Sequence, residues 1–242
     1  MIISVMNHSK IPDAEVQAAL RAINRQIVED FEPYWDLDAT LRLEAKGKGA
    51  NLAAMRGDAV IFLRDSAGGF HSDSLRGLPY GVVFTEIGKL TKQALPWLTW
   101  TSALSHEALE LIADPQLNTL VKGPHPGKHH AVFHYREVCD PVQGLTYEID
   151  GVPVSNFVLP HYYNAQGVRG GRNDFLGSGV HAFRWIADGY IGFWDPRQGK
   201  RGAYVTFPQY KPSHIAHKLR RLKGATARLH RYSKRIVREP AR

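Results

Sequence analysis

The chain has 242 residues, 43% of them hydrophobic, and a formal net charge of +8, which is enough material for one large domain or two small ones. No apolar run approaches the ~18–20 residues that span a bilayer, residues 1–10 lack a basic segment followed by a long apolar one, and the single cysteine, Cys139, excludes an intrachain disulfide. The expectation is a globular protein without a membrane span or signal peptide, cytoplasmic or virion-associated.

In chain order, Ile2–Met6 reads as a short strand. Pro12 and Asp13 suit a helix start, and Val16, Leu20, Ile23 and Ile27 follow at helical spacing until Pro33 stops the helix. Leu37–Leu43 alternates apolar and polar residues, as a half-buried strand does, and Gly47–Gly57 reads as a loop. Asp58–Arg64 holds the continuous apolar run Ala59-Val60-Ile61-Phe62-Leu63 of a central strand. Ser66–Pro79 reads as a loop, Tyr80–Thr85 as a strand and Leu98–Ala113 as a helix with Leu104, Ala108, Leu111 and Ile112 on its apolar side. Val121–Gly127 is turn-rich and Ala131–Val138 is strand-like. Leu145–Ile149 and Val152–Val158 flank the hairpin signal Asp150-Gly151. Asn164–Gly179 reads as a long loop, and Tyr190–Trp194 and Ala203–Phe207 as a last strand pair. This order gives an α/β (α+β) single domain over 1–210. Its α/β part covers 1–115 and an irregular, β-rich part covers 116–210. A basic tail follows at 211–242.

The chemistry concentrates in His106-Glu107-Ala108-Leu109-Glu110-Leu111-Ile112-Ala113-Asp114-Pro115. Residues i and i+4 of a helix share a face, so His106 and Glu110 can hold one divalent ion, and imidazole with carboxylate suits zinc. Glu107, about 100° around the helix, occupies the position of the general base in a His-Glu-x-x-His site. A three-ligand site needs one more donor. The order of preference is Glu137, then Asp114, then Asp140, the first and last lying in Tyr135-Arg136-Glu137-Val138-Cys139-Asp140-Pro141. Asp114 and Asp140 each precede a proline, so they could instead cap backbone amides or hold a structural Ca2+, which prefers oxygen ligands. The helix is flanked by Trp97, Leu98, Trp100, Leu104 and Leu109. Burial follows from that composition, and buried carboxylates need a cation or hydrogen bonds.

Ser105–Pro115 together with Glu137–Pro141 resembles a group of bacterial and phage-encoded metallopeptidase-like proteins with the pattern Ser-His-Glu-x-x-Glu-x-x-x-Asp-Pro followed by Glu-x-x-Asp. Further matching pieces are Gly69-Phe70-His71, Gly77-Leu78-Pro79-Tyr80, Ser155-Asn156-Phe157-Val158 with Pro160, and Gly189-Tyr190. The resemblance spans roughly residues 20 to 195. It implies a zincin-like fold: a twisted sheet, an active-site helix beneath it, and a substrate cleft along an edge strand, here Gly77–Thr85. Glu110 in place of a second histidine adds negative charge, which makes a bound ion less electrophilic.

His71, in a glycine-rich segment before that strand, and Tyr162, with its neighbours His161 and Tyr163, are candidate substrate-binding groups, the tyrosine as a donor to an oxyanion. Simple packing or surface exposure is the plainer reading of each. His125, His129, His130 and His134 read first as an exposed polar loop running into a strand, and second as another metal site. Cys139 reads as a buried structural thiol. Residues 211–242 carry 11 of the 31 basic side chains and one of the 23 acidic ones, leaving 20 basic and 22 acidic over 1–210. The basicity therefore belongs to the tail, which could bind nucleic acid or an acidic partner. With only Tyr210 and Tyr232 nearby, base stacking is not indicated. The expected function is zinc-dependent hydrolysis of peptide or protein substrates. The alternative is a non-catalytic structural or virion-assembly protein of the same fold whose basic tail does the binding.

Overall fold

A computed structural model describes residues 1–44, 57–65, 78–86, 99–164 and 171–198, together with the backbone of 69–75 and 203–207. The strand expected first is β1 (Ile2–His8). The helix expected next is α1 (Asp13–Arg25), which buries Val16, Leu20 and Ile23 as their spacing requires. The helix does not stop before Pro33. It widens into a π-helical stretch, Gln26–Phe31, and ends with one α-turn, α2 (Glu32–Trp35), which places Pro33 in its first turn, where a missing N–H costs nothing. The chain then returns as β2 (Thr40–Leu43) and, after residues outside the described set, as the apolar strand β3 (Ala59–Arg64).

β4 (Gly69–Leu75) forms in the segment expected to be a loop, and β5 (Leu78–Phe84) follows. These strands make one five-stranded sheet in the order β2-β1-β3-β5-β4. β1, β2, β3 and β5 run parallel, and β4 pairs antiparallel with β5. The edge strand on that side is therefore β4. β5, covering most of the expected edge segment 77–85, is paired on both sides. β3, with parallel neighbours on both flanks, is buried at Ala59 through Leu63, as an unbroken apolar run demands.

α3 (Trp100–Ala113) packs against β4 and β5 of this sheet. Its start is fixed by a capping box: Thr99 accepts from the Ser102 amide at 3.0 Å, and the Thr99 amide donates to Ser102 Oγ at 3.0 Å. After α3, β6 (Leu120–Pro124) occupies the segment expected to be turns, and β7 (Ala131–Tyr135) pairs with it. The hairpin of β8 (Thr146–Ile149) and β9 (Val152–Ser155) turns at Asp150 and Gly151, both with positive φ, as its sequence indicates. β10 (Ile191–Asp195) and β11 (Ala203–Phe207) complete a second sheet in the order β11-β10-β7-β6.

One hydrophobic core runs from Ile3 to Val180 and joins the large sheet, α1, α3 and the β8–β9 hairpin, which packs on α3 through β9. The architecture is mixed α/β, with a mostly parallel sheet and few helices. Among the described residues no helix is long and apolar enough to cross a membrane. Trp97, Leu98, most of Gly47–Gly57, residues 165–170 of the expected long loop and the tail 211–242 lie outside the described residues.

Candidate metal centre

α3 is buried nearly all round, and Glu107 and Glu110 are buried with it, at 9% and 3% exposure. Two carboxylates inside an apolar layer need compensation. Part of it comes from Val138–Val142, where the chain leaves β7 and folds back over α3. Glu110 Oε1 accepts the amides of Cys139 and Asp140, each at 3.3 Å. That bond pair fixes the start of the 3₁₀ turn Asp140–Val142 and places Asp140 beside the helix.

His106 Nε2 then lies 3.4 Å from Glu110 Oε1 and 3.3 Å from Asp140 Oδ1. His106, Glu110 and Asp140 offer donor atoms that all lie within 4.8 Å of one another. A tetrahedral zinc with bonds of about 2.0–2.1 Å separates its ligand atoms by about 3.3–3.4 Å. The two histidine–carboxylate separations match that edge. Asp140 Oδ1 is buried and has no hydrogen-bond partner among the described residues, as a ligand atom aimed at a cation would be. Two carboxylates and a neutral imidazole also neutralise a divalent charge. The donor set could hold a divalent metal ion.

The same two carboxylates also act on the charge of the imidazole. Burial alone would lower the His106 pKa, but the charge of Glu110 and contacts with Asp140 and Glu110 hold it well above the ordinary value. The site thus attracts positive charge to the position of the imidazole. Burial, then the charge of Glu110, pushes the Asp140 carboxyl up to about 6, while His106 and Tyr190 pull the other way. Cys139 is wholly buried, and burial followed by the charge of Glu110 raises its thiol well above the usual range, so it is an inert packing group.

The three candidates for a third ligand are placed differently in the fold. Asp140, ranked last, completes the trio. Asp114, buried at the end of α3, accepts from the amides of Asn118 and Thr119 and from the Thr119 hydroxyl at 3.1 Å each, so it caps the chain on its way to β6. Glu137 is buried and lines a small pocket with Asp140, Tyr162, Tyr163 and Tyr190, but it does not join the donor trio.

Tyr162 is not available to an oxyanion: its ring is buried and its hydroxyl donates to the Arg184 carbonyl at 2.7 Å. The Tyr163 hydroxyl donates to the Glu137 carbonyl at 2.9 Å, and the His161 ring meets the Arg172 carbonyl. His71 lies in the edge strand β4 opposite Gly81, and its side chain is outside the described residues. His125 and His134 are buried rather than exposed; His129 is exposed.

Sequence reasoning missed the part played by Gly189 and Tyr190. The Tyr190 amide donates to the Asp140 carbonyl at 3.0 Å, and the Ile186 amide donates to the Pro141 carbonyl at 3.0 Å. A Cβ on Gly189 would sit 2.2 Å from the Pro141 carbonyl oxygen. This segment clamps the turn that carries Asp140, and only glycine permits the approach. The Gly189-Tyr190 pair was the available signal, without any indication of its partner. Comparison with family models, with curated proteins and with solved structures finds no match.

Proposed function

We propose that the chain is a zinc-dependent hydrolase, a peptidase of zincin-like architecture, with His106, Glu110 and Asp140 as ligands. The observation that carries this reading is the spacing of the three donors, with a buried carboxylate oxygen that no hydrogen bond satisfies. A mixed sheet with one antiparallel edge strand, and a site-bearing helix packed against that strand and its neighbour, supports the zincin-like comparison. A bound divalent ion would polarise water and the scissile carbonyl.

The chain's own groups do the rest. His106 presents Nε2 to the site from one turn of α3, and Glu110 and Asp140 hold that ring between them. Glu107, on the same turn and largely shielded from solvent, takes a proton from the attacking water at its carboxylate. It then returns that proton to the nitrogen of the leaving amine as the C–N bond breaks. Among the described residues β4 is the outermost strand on its side of the sheet, and a peptide could lie along it as an added strand.

The test combines elemental analysis of the purified chain with Glu107→Gln. The variant is expected to retain one zinc at the α3 site and to lose peptide hydrolysis by at least about 100-fold. Undiminished hydrolysis by the variant, or a zinc-supplemented chain with no ion bound through His106, defeats the reading.

A further inference from the structure

We propose that His125, His130 and Asp195 form a second site for a divalent transition ion of the zinc class, which clips the β6–β7 turn to the end of β10. The turn brings the two histidines together: the His125 amide donates to the His130 carbonyl at 2.9 Å, and the two rings lie 4.9 Å apart. Asp195 ends β10, the strand that pairs with β7, and is wholly buried. Its Oδ1 is engaged by His130 Nε2 at 2.9 Å and by the Arg197 amide at 3.0 Å. Its Oδ2 is buried with no hydrogen-bond partner among the described residues and faces His125 Nε2 across 3.9 Å.

That gap is too long for a hydrogen bond. A tetrahedral ion with bonds of about 2.0–2.1 Å separates its ligand atoms by about 3.3–3.4 Å; the 3.9 Å gap at His125 is longer and the 2.9 Å contact at His130 shorter, so side-chain shifts of about half an ångström on either side would seat the ion. The three donor atoms lie within 4.8 Å of one another. Two imidazoles and one carboxylate select a transition ion over Ca2+ or Mg2+, whose sites are built from oxygen. A fully buried carboxylate oxygen without a partner is otherwise costly.

One contact gives the site a signature. The Gly127 amide donates to His125 Nδ1 at 2.9 Å, so the neutral ring carries its proton on Nε2. An ion binding at Nε2 needs that nitrogen's lone pair, so the ring's single proton moves from Nε2 to Nδ1 by exchange with water, and the Gly127 amide gives up its bond. Gly127, Lys128 and His129 are exposed, so the turn has room to adjust. His134 takes no part, because its Nε2 is engaged by the Pro124 carbonyl at 3.0 Å. The site is independent of the α3 trio and shares no ligand with it.

Zinc ion alone is the probe, titrated into the untagged full chain with stoichiometry read by native mass spectrometry. The unaltered chain is expected to bind two ions, and His130→Gln and His106→Gln one each, with binding at the altered site weakened at least tenfold. Asp195 is too buried to be the first choice of variant. The unaltered chain supplies a second readout through the His125 ring nitrogens, whose NMR shifts should report transfer of the proton from Nε2 to Nδ1 on saturation. The proposal is overturned if His130→Gln binds as many ions as tightly as the unaltered chain, or if the His125 tautomer is unmoved by saturating zinc. Loss of an ion in His106→Gln alone overturns this site and leaves the hydrolase reading standing. Loss in His130→Gln alone does the reverse.

Discussion

Asp140 Oδ1 is the atom on which the site turns, because it is buried, unsatisfied by hydrogen bonds and 3.3 Å from His106 Nε2. Asp140→Asn keeps the shape and removes the charge, so zinc affinity at the α3 site is expected to fall at least about 100-fold in calorimetric titration. Gly189→Ala acts on the same atom from behind. Its Cβ meets the Pro141 carbonyl at 2.2 Å, and forcing that turn away should cost about 1–3 kcal/mol, read by denaturant unfolding, and weaken zinc binding. His134 gives a pH dependence. Burial lowers its pKa from 6.5 to about 4, against the pull of the Pro124 carbonyl. The unfolded chain therefore binds a proton that the folded chain refuses between about pH 6.5 and 4, and stability falls as pH falls through that window. The full effect is on the order of 3 kcal/mol; a His134→Gln variant whose stability has the same pH slope over that window would refute it. At this scale helical spacing placed His106 and Glu110 on one face, as they lie. Sequence reasoning ranked Asp114 above Asp140, because each precedes a proline and nothing local distinguishes the residue that caps the chain from the one that turns back to His106.

At the scale of elements, α3 carries two acids and a histidine through an apolar layer, and its position is fixed from both ends. Thr99→Ala removes the cap and should destabilise the chain by about 1 kcal/mol without changing zinc stoichiometry, as thermal unfolding and elemental analysis would register. The middle of the helix is tied by a buried network. Ser105 Oγ donates to Gln26 Oε1 at 2.6 Å and accepts the Ser155 amide at 3.0 Å, while Gln26 Nε2 donates to the Ser155 carbonyl at 2.7 Å. Gln26 opens the π-helical stretch after α1, a widening often found near functional sites. The periodicity of α1 and α3 and the Asp150-Gly151 turn were legible because their causes lie within a few residues. β4 and β6 were not. Gly69–Leu75 and Leu120–Pro124 are poor in the alternation that marks a strand, and they exist because β5 and β7 supply hydrogen-bonding partners.

For the molecule as a whole, residues 211–242 carry 11 basic side chains and one acidic one, a charge of +10 against −2 for the rest, so the net +8 comes from the tail. If that tail meets nucleic acid or an acidic partner, removing residues 211–242 should abolish retention on heparin and the steep salt dependence that accompanies it, leaving zinc content unchanged. Equal retention of the shortened chain would dismiss the tail as an electrostatic binder. The amino-acid sequence determined on its own the helices with their buried faces, the central strand β3, the β8–β9 hairpin and the pairing of His106 with Glu110, all consequences of short-range periodicity and turn chemistry. Only the tertiary structure brought Asp140 beside His106 and Glu110, put β4 outermost among the described strands and converged His125 and His130 on Asp195. Those depend on which distant segments pack together: the chain after β7 returns to α3 because Glu110 accepts two amides about 30 residues away, and no local pattern encodes that meeting.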